Sequence, residues 1–283
     1  MGILKSNIRN TNLSFILVNR KILGTIDCPI LGSGTEGTVY GYTSNIAIKI
    51  FDFKGIERRL NVSRKFEKIE KLGTLLDDRA CFPLGLVGFN NYKKEGIFLE
   101  RPELDPNFPN FQVLSVRIDL KRKIIYAIKA SDAIKRFHEM GLIIGDIKGD
   151  NILIDINGEI KFIDTDNWKF EGFGYDVKTT RGEWLKMAYD KPCTDLDNDR
   201  FLLGTMALAL FIPGANVSMW HGLDYYHALI NYMNVPREIR EGLRSVISDS
   251  TDKPYIGDIL KEIDFAEEVI SDSAIHKMSR GIY

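Results

Sequence analysis

The chain has 283 residues, 44% hydrophobic and 27% charged, enough apolar content to bury one large core or two smaller ones. Its 38 Lys and Arg nearly balance 39 Asp and Glu, and a net charge of −1 offers no broad electrostatic hold on nucleic acid. Cys28, Cys81 and Cys193 are far apart and odd in number, which argues against a disulfide framework or a Cys-based zinc site and fits a reducing compartment.

The opening MGILKSNIRN lacks the charged-then-apolar pattern of a signal peptide. Gly2 and Ser6 match the Met-Gly-x-x-x-Ser form of a myristoylation site, a pattern short enough to arise often by chance. Short β-type runs follow at 14–18 (SFILV), 38–42 (TVYGY), 47–51 (AIKIF) and 96–100 (GIFLE), interrupted by a charged helical stretch near 55–76. PELDPNFPNF at 102–111, with three prolines, marks a join. From about 123 helical periodicity dominates, and Tyr126, Ala130, Ala133, Phe137 and Met140 form one expected buried face. His138 on this stretch reads as a structural residue, since the four histidines show no metal-ligand spacing.

Further helices are expected near 199–211, 219–233, 236–248 and 256–270. The run LLGTMALALFIPGA at 202–215 is too short to span a bilayer and reads as a buried helix. The expected class is α+β: a small β-rich lobe at 28–101, then a larger mainly helical lobe at 102–270. An extension at 1–27 and a tail at 271–283 flank them, and a soluble cytoplasmic protein is the expectation.

Three stretches carry chemistry. In ILGSGTEGTVYGY at 30–42, Gly32, Gly34 and Gly37 have G-x-G-x-x-G spacing. A Rossmann fingerprint needs a helix directly after the third glycine, whereas Thr38-Val39-Tyr40 reads as strand. A glycine-rich hairpin lets backbone N–H groups approach phosphate oxygens, although an ordinary hairpin turn has the same look. In Ala47-Ile48-Lys49, alternation puts Lys49 on the face of Ala47, opposite Ile48. A lysine reaching a phosphate site there needs a carboxylate partner, for which Glu67 or Glu70 is available, with Glu67 favoured.

The third stretch, GLIIGDIKGDNILID at 141–155, presents Asp146, Lys148 and Asn151 between the apolar runs Leu142-Ile143-Ile144 and Ile152-Leu153-Ile154, both expected to be strand-like. Asn157-Gly158 makes ILIDINGEIKFID a hairpin. Its ends bring Asn151 and Asp164 together as a hard, oxygen-only site suited to Mg²⁺.

Taken in order, these motifs resemble the eukaryotic-like protein kinase superfamily over roughly 28–265. The resemblance implies a bilobal protein-kinase-like fold and transfer of the ATP γ-phosphate to a Ser or Thr hydroxyl of a protein with Mg²⁺ or Mn²⁺. It assigns Gly32, Gly34, Gly37, Val39, Ala47, Leu99 and Glu100 to nucleotide binding, Lys49 to the α- and β-phosphates, and Glu67 to Lys49. Asp146 would accept or orient the hydroxyl proton, and Lys148 would offset phosphoryl charge. Asn151 and Asp164 would hold metal. Asp199, in DRFLLGTMAL, would brace the catalytic loop, and Lys253-Pro254 stands where Arg-Pro is usual.

The chain also departs from that pattern. Ile144-Gly145 replaces the His-Arg before the catalytic Asp, so activity is expected not to depend on phosphorylation of Thr179 or Thr180. Asp164-Thr165-Asp166 replaces Asp-Phe-Gly, and Gly182-Glu183-Trp184 lies where Ala-Pro-Glu is usual. Pro102, beside the expected hinge, cannot donate a backbone hydrogen bond to a base. A small-molecule phosphotransferase, suggested by Asp164-x-Asp166, and a nucleotide-binding pseudokinase remain the alternative readings.

Overall fold

A computed structural model describes residues 29–34, 36–51, 62–89, 93–107, 109–112, 114, 118–174, 195–212 and 222–263. The expected strand at 14–18, the myristoylation pattern, the flanking extension and tail, Thr179, Thr180 and Gly182–Trp184 lie outside the described residues. The described residues form two compact units. One draws on Met1–Asn110 and Asp150–Lys178, the other on Phe111–Gly149 and Thr179–Tyr283.

The first unit is built on an antiparallel sheet of β1 (Ile30–Gly34), β2 (Gly37–Gly41), β3 (Ile46–Phe51), β4 (Pro83–Phe89) and β5 (Lys93–Glu100), in the order β1-β2-β3-β5-β4. The helix α1 (Val62–Leu72) lies between β3 and β4 in the chain. Alternation along β3 sorts the core onto two faces. Ile46 and Ile48 pack with Leu84, Val87 and Phe98 on one face. Phe51 packs with Leu86, Ile97 and, from α1, Phe66 and Ile69 on the other. Lys49 is directly opposite Val39 and Ile97, so it shares the face that α1 covers.

Gly37 permits the close approach of β2 to β3, because a Cβ there would lie 2.1 Å from the Ile50 carbonyl oxygen. β4 was not among the expected strands, because Pro83, Gly85 and Gly88 interrupt its β-type composition.

The second hairpin, β6 (Ile152–Ile154) with β7 (Ile160–Phe162), forms as expected, with Ile152 opposite Phe162 and Ile154 opposite Ile160. It is closed by Asp155 N–H bonding to Glu159 O at 2.9 Å, and the Asp155 carboxylate accepts from Asn157 N and Glu159 N. The expected boundary near 101 assigned this hairpin to the helical part. It instead joins the sheet-bearing unit, through Phe162 N donating to Arg79 O and Cys81 N donating to Phe162 O.

The second unit contains α2 (Leu120–Glu139), α3 (Asp195–Phe211), α4 (Leu223–Tyr232), α5 (Arg237–Val246) and α6 (Ile256–Lys261). Asp119 caps α2 by accepting from Arg122 N at 2.8 Å. The buried stripe of α2 runs through Ile124, Ala127, Ala130, Ile134 and Phe137. Tyr126 and Met140, expected on that face, lie at its partly exposed margin. α3 carries the apolar run at 202–211, and among the described residues no helix is long and apolar enough to cross a membrane. Leu142–Ile144 is part of no extended strand among the described residues, though Ile143 makes an isolated β-bridge, and α6 ends at Lys261, with 264–270 of the expected helix outside the described residues.

Candidate functional site

In the sheet-bearing unit, Lys49 is 4% exposed and surrounded by carboxylates. Its Nζ lies 2.7 Å from Asp164 Oδ1, 2.9 Å and 3.1 Å from the two Asp166 oxygens, and 3.5 Å from Glu36 Oε2. Lys65, on α1, adds a second ammonium at 2.9 Å from Glu36 Oε1 and 3.3 Å from Asp166 Oδ2. Both ammoniums approach the Phe51 ring, at 5.5 Å and 4.9 Å from its centroid.

The electrostatics follow from this geometry. Burial alone would push the Lys49 pKa down, but Asp166, Asp164 and Glu36 outweigh it and hold the ammonium well above the ordinary lysine range. Burial would likewise raise the Asp166 pKa, yet Lys49 and Lys65 hold that carboxyl well below the usual carboxylate range. Both groups are therefore charged across the physiological range.

Asp164 differs from Asp166 in its exposure and backbone. Its side chain is 40% exposed, against none for Asp166. It sits at φ 60°, ψ 37°, in the left-handed region, at the start of a 3₁₀ turn over Thr165–Asn167. Non-glycine residues are uncommon there, and such conformations persist where the surroundings hold them and concentrate at functional sites. The surroundings here are specific: Thr165 Oγ1 donates to Cys81 O, and Trp168 packs edge-on against Phe82 and Phe162. The expected meeting of the hairpin ends is present, with Ile163 N donating to Asn151 O at 3.0 Å.

α1 is tied to the same segment through Arg64, which donates to Gly172 O, and Lys68, which donates to Gly174 O. The expected Lys49–Glu67 pairing is not observed. Glu67 projects from the solvent side of α1 and pairs with Lys71 at 3.6 Å, while Glu70 is also exposed. The helix face toward Lys49 carries Lys65 instead, and the acid comes from Glu36 in the β1–β2 turn and from Asp166.

Among the residues assigned to nucleotide binding, Gly32 and Gly34 lie in the exposed strand β1, with open space at their Cβ positions. Val39, Ala47 and Leu99 share the Lys49 face, because Val39 opposes Lys49 and Leu99 opposes Ala47. Glu100 opposes Ile46 and so points to the other face. Glu36, Asp164 and Asp166 bring oxygen atoms within 4.8 Å of one another, a hard donor set of the type that divalent cations take.

The helical unit holds Asp146 and Lys148, paired at 3.1 Å and both partly exposed. Asp199 anchors the chain just before them: its two carboxylate oxygens accept from Ile144 N and Gly145 N, each at 2.7 Å. Ile143, inside the run expected to be strand-like, makes an isolated β-bridge. Gly145 has φ +75°, a left-handed backbone position that glycine takes without the strain a Cβ would bring. His138 is structural, with Nε2 3.0 Å from Asp199 and Nδ1 2.7 Å from the Tyr255 hydroxyl. Buried Lys253 is fixed by its N–H to Asp197 at 3.1 Å, and its carbonyl accepts from Arg200.

No family model matches the chain, and no curated protein matches it in sequence.

Proposed function

We propose that the protein is an ATP-dependent phosphotransferase of the protein-kinase-like class, acting on a Ser or Thr hydroxyl of a protein. The observation that carries the reading is Lys49. It projects from the strand after a glycine-rich hairpin and lies 2.7 Å from Asp164, the carboxylate that follows β7. An ammonium and a metal-suited carboxylate held together are what a triphosphate and its cation require.

The residues present fit Mg²⁺: Asp164 offers a partly exposed carboxylate, Asp166 lies beside it, and every donor in the cluster is oxygen. Asn151, held beside the chain entering Asp164, is the further candidate ligand. When bound, Mg-ATP supplies the transferable phosphoryl group and the cation that offsets its charge. Lys49 binds phosphate oxygens, and Asp166 keeps its ammonium placed. Asp146 orients the acceptor hydroxyl and takes its proton, while Lys148 balances negative charge on the transferring group. The Asp199 brace sets the backbone from which Asp146 projects. Positioning and charge then do most of the work, since phosphoryl transfer asks little covalent chemistry of the protein.

The test is incubation of the full chain with γ-labelled ATP and Mg²⁺, with a basic protein acceptor, beside Asp146→Asn. Label on Ser or Thr that the variant loses supports the reading. Label on small hydroxyl compounds alone moves the assignment to a small-molecule phosphotransferase. Binding of Mg-ATP with no transfer to any acceptor makes the protein a nucleotide-binding module.

A further inference from the structure

Glu36 stands in the two-residue turn that joins Gly34 of β1 to Gly37 of β2, paired across the hairpin. A glycine-rich turn of this kind otherwise offers an anion only backbone N–H groups. Here the turn carries a carboxylate, on a side chain that is 10% exposed. One of its oxygens is 2.9 Å from the Lys65 ammonium and the other 3.5 Å from that of Lys49. A carboxylate that spans two ammoniums stands in for two oxygens of a phosphoryl group, which lysine binds as a compact point charge.

The three acids of the cluster are not held alike. Asp164 and Asp166 flank Thr165, which is buried and bonded to Cys81 O, and Trp168 wedges the same turn against Phe82 and Phe162. Glu36 hangs from a hairpin whose outer strand is exposed along its whole length. It can therefore move out while Asp166 keeps both lysines in place, at 2.9 Å and 3.3 Å. Phosphate oxygens and the Glu36 carboxylate cannot both occupy these ammoniums without like-charge repulsion.

We infer that Lys65 is a second phosphate-binding cation and that Glu36 is a displaceable occupant of the Lys49–Lys65 anion site. An incoming polyphosphate takes both ammoniums as the Glu36 carboxylate swings away. The inference rests on the phosphotransferase reading only for the identity of the natural anion.

The test is isothermal titration of inorganic tripolyphosphate, and separately of Mg-ATP, into the full chain and into Glu36→Gln, Lys65→Met and Lys65→Arg. Glu36→Gln is expected to bind tripolyphosphate at least about tenfold more tightly, equivalent to about 1.4 kcal/mol. Lys65→Met is expected to bind it at least about tenfold more weakly, and Lys65→Arg to recover most of the loss. If Glu36→Gln does not fold, the Lys65 pair decides in the native background, since a merely structural tie would leave anion affinity unmoved in the folded protein. Folded Glu36→Gln binding no tighter than the native chain, or no tripolyphosphate binding by any variant, overturns the inference. The expected tripolyphosphate series without phosphoryl transfer from Mg-ATP would uphold the anion site and remove the phosphotransferase reading. Transfer with an unmoved series would do the reverse.

Discussion

Replacing Asp166 with Asn removes the buried charge on which both lysines converge. Asp166 has no exposed side-chain surface and contacts Lys49 at 2.9 Å and 3.1 Å and Lys65 at 3.3 Å. Taking away one partner of a buried ion pair costs about 3–5 kcal/mol, because the opposite charge stays buried with less compensation. Asn retains an acceptor oxygen and Lys49 keeps Asp164 and Glu36, which places the expected loss near the lower end, about 3 kcal/mol. At about 2–4 °C per kcal/mol for a domain of this size class, calorimetry at pH 7 should show Tm lowered by about 6–12 °C.

The sign of the pH dependence follows from the depressed Asp166 pKa. Its stabilising contribution is present above the unfolded value of about 3.9 and is lost as pH falls from there toward the lower folded value. The gap between native chain and variant should therefore narrow by about 1.4 kcal/mol per pH unit below pH ~4. A variant within about 1 °C of the native chain at pH 7, or a gap that widens on acidification, would mean that the Asp166 charge does not anchor the two lysines.

Three further outcomes are expected. Lys49→Met should reduce phosphoryl transfer by at least about a hundredfold, read as initial rate under saturating Mg-ATP, since an oriented cation on transferring charge is worth about 2.7–4 kcal/mol or more. Glu67→Ala should change stability by less than about 0.5 kcal/mol and leave transfer intact, because the Lys71 pair at 3.6 Å is solvent-exposed. Loss of activity in that variant would return Glu67 to the site. Gly37→Ala should lower the urea midpoint clearly, as its Cβ would meet the Ile50 carbonyl at 2.1 Å, while Gly32→Ala, facing open space, should leave the midpoint nearly unchanged.

Much of this arrangement was legible in the sequence where local pattern and tertiary role agree. The alternation in β3 put Lys49 on the right face. The Asn-Gly hairpin brought Asn151 beside Ile163, the residue before Asp164, and His138 took the structural role read for it. Asp199 makes the backbone contacts that the resemblance, rather than local pattern, implied. What was missed depends on contacts remote in sequence. Glu36 lies in a short turn, where a charge normally reads as solvated, and its burial is set by Lys65, far along the chain. Lys65 and Glu67 both read as the polar side of one charged helix. Only the packing of Phe66 and Ile69 onto the sheet decides that Lys65 turns inward and Glu67 outward. β4 hides behind Pro83 and two glycines, because its place in the sheet comes from pairing with β5 rather than from β propensity.

The proposed phosphotransferase activity requires Lys49 and Asp164 together as the phosphate and metal end of a nucleotide site. Its most direct test is the Mg²⁺-dependent rate of γ-phosphate release or transfer from ATP by the native chain and by Asp164→Ala, both verified as folded. The expected result is a rate that requires Mg²⁺ in the native chain and falls to background in the variant. Near-native turnover by Asp164→Ala, or a native rate indifferent to removal of divalent cations, would contradict it.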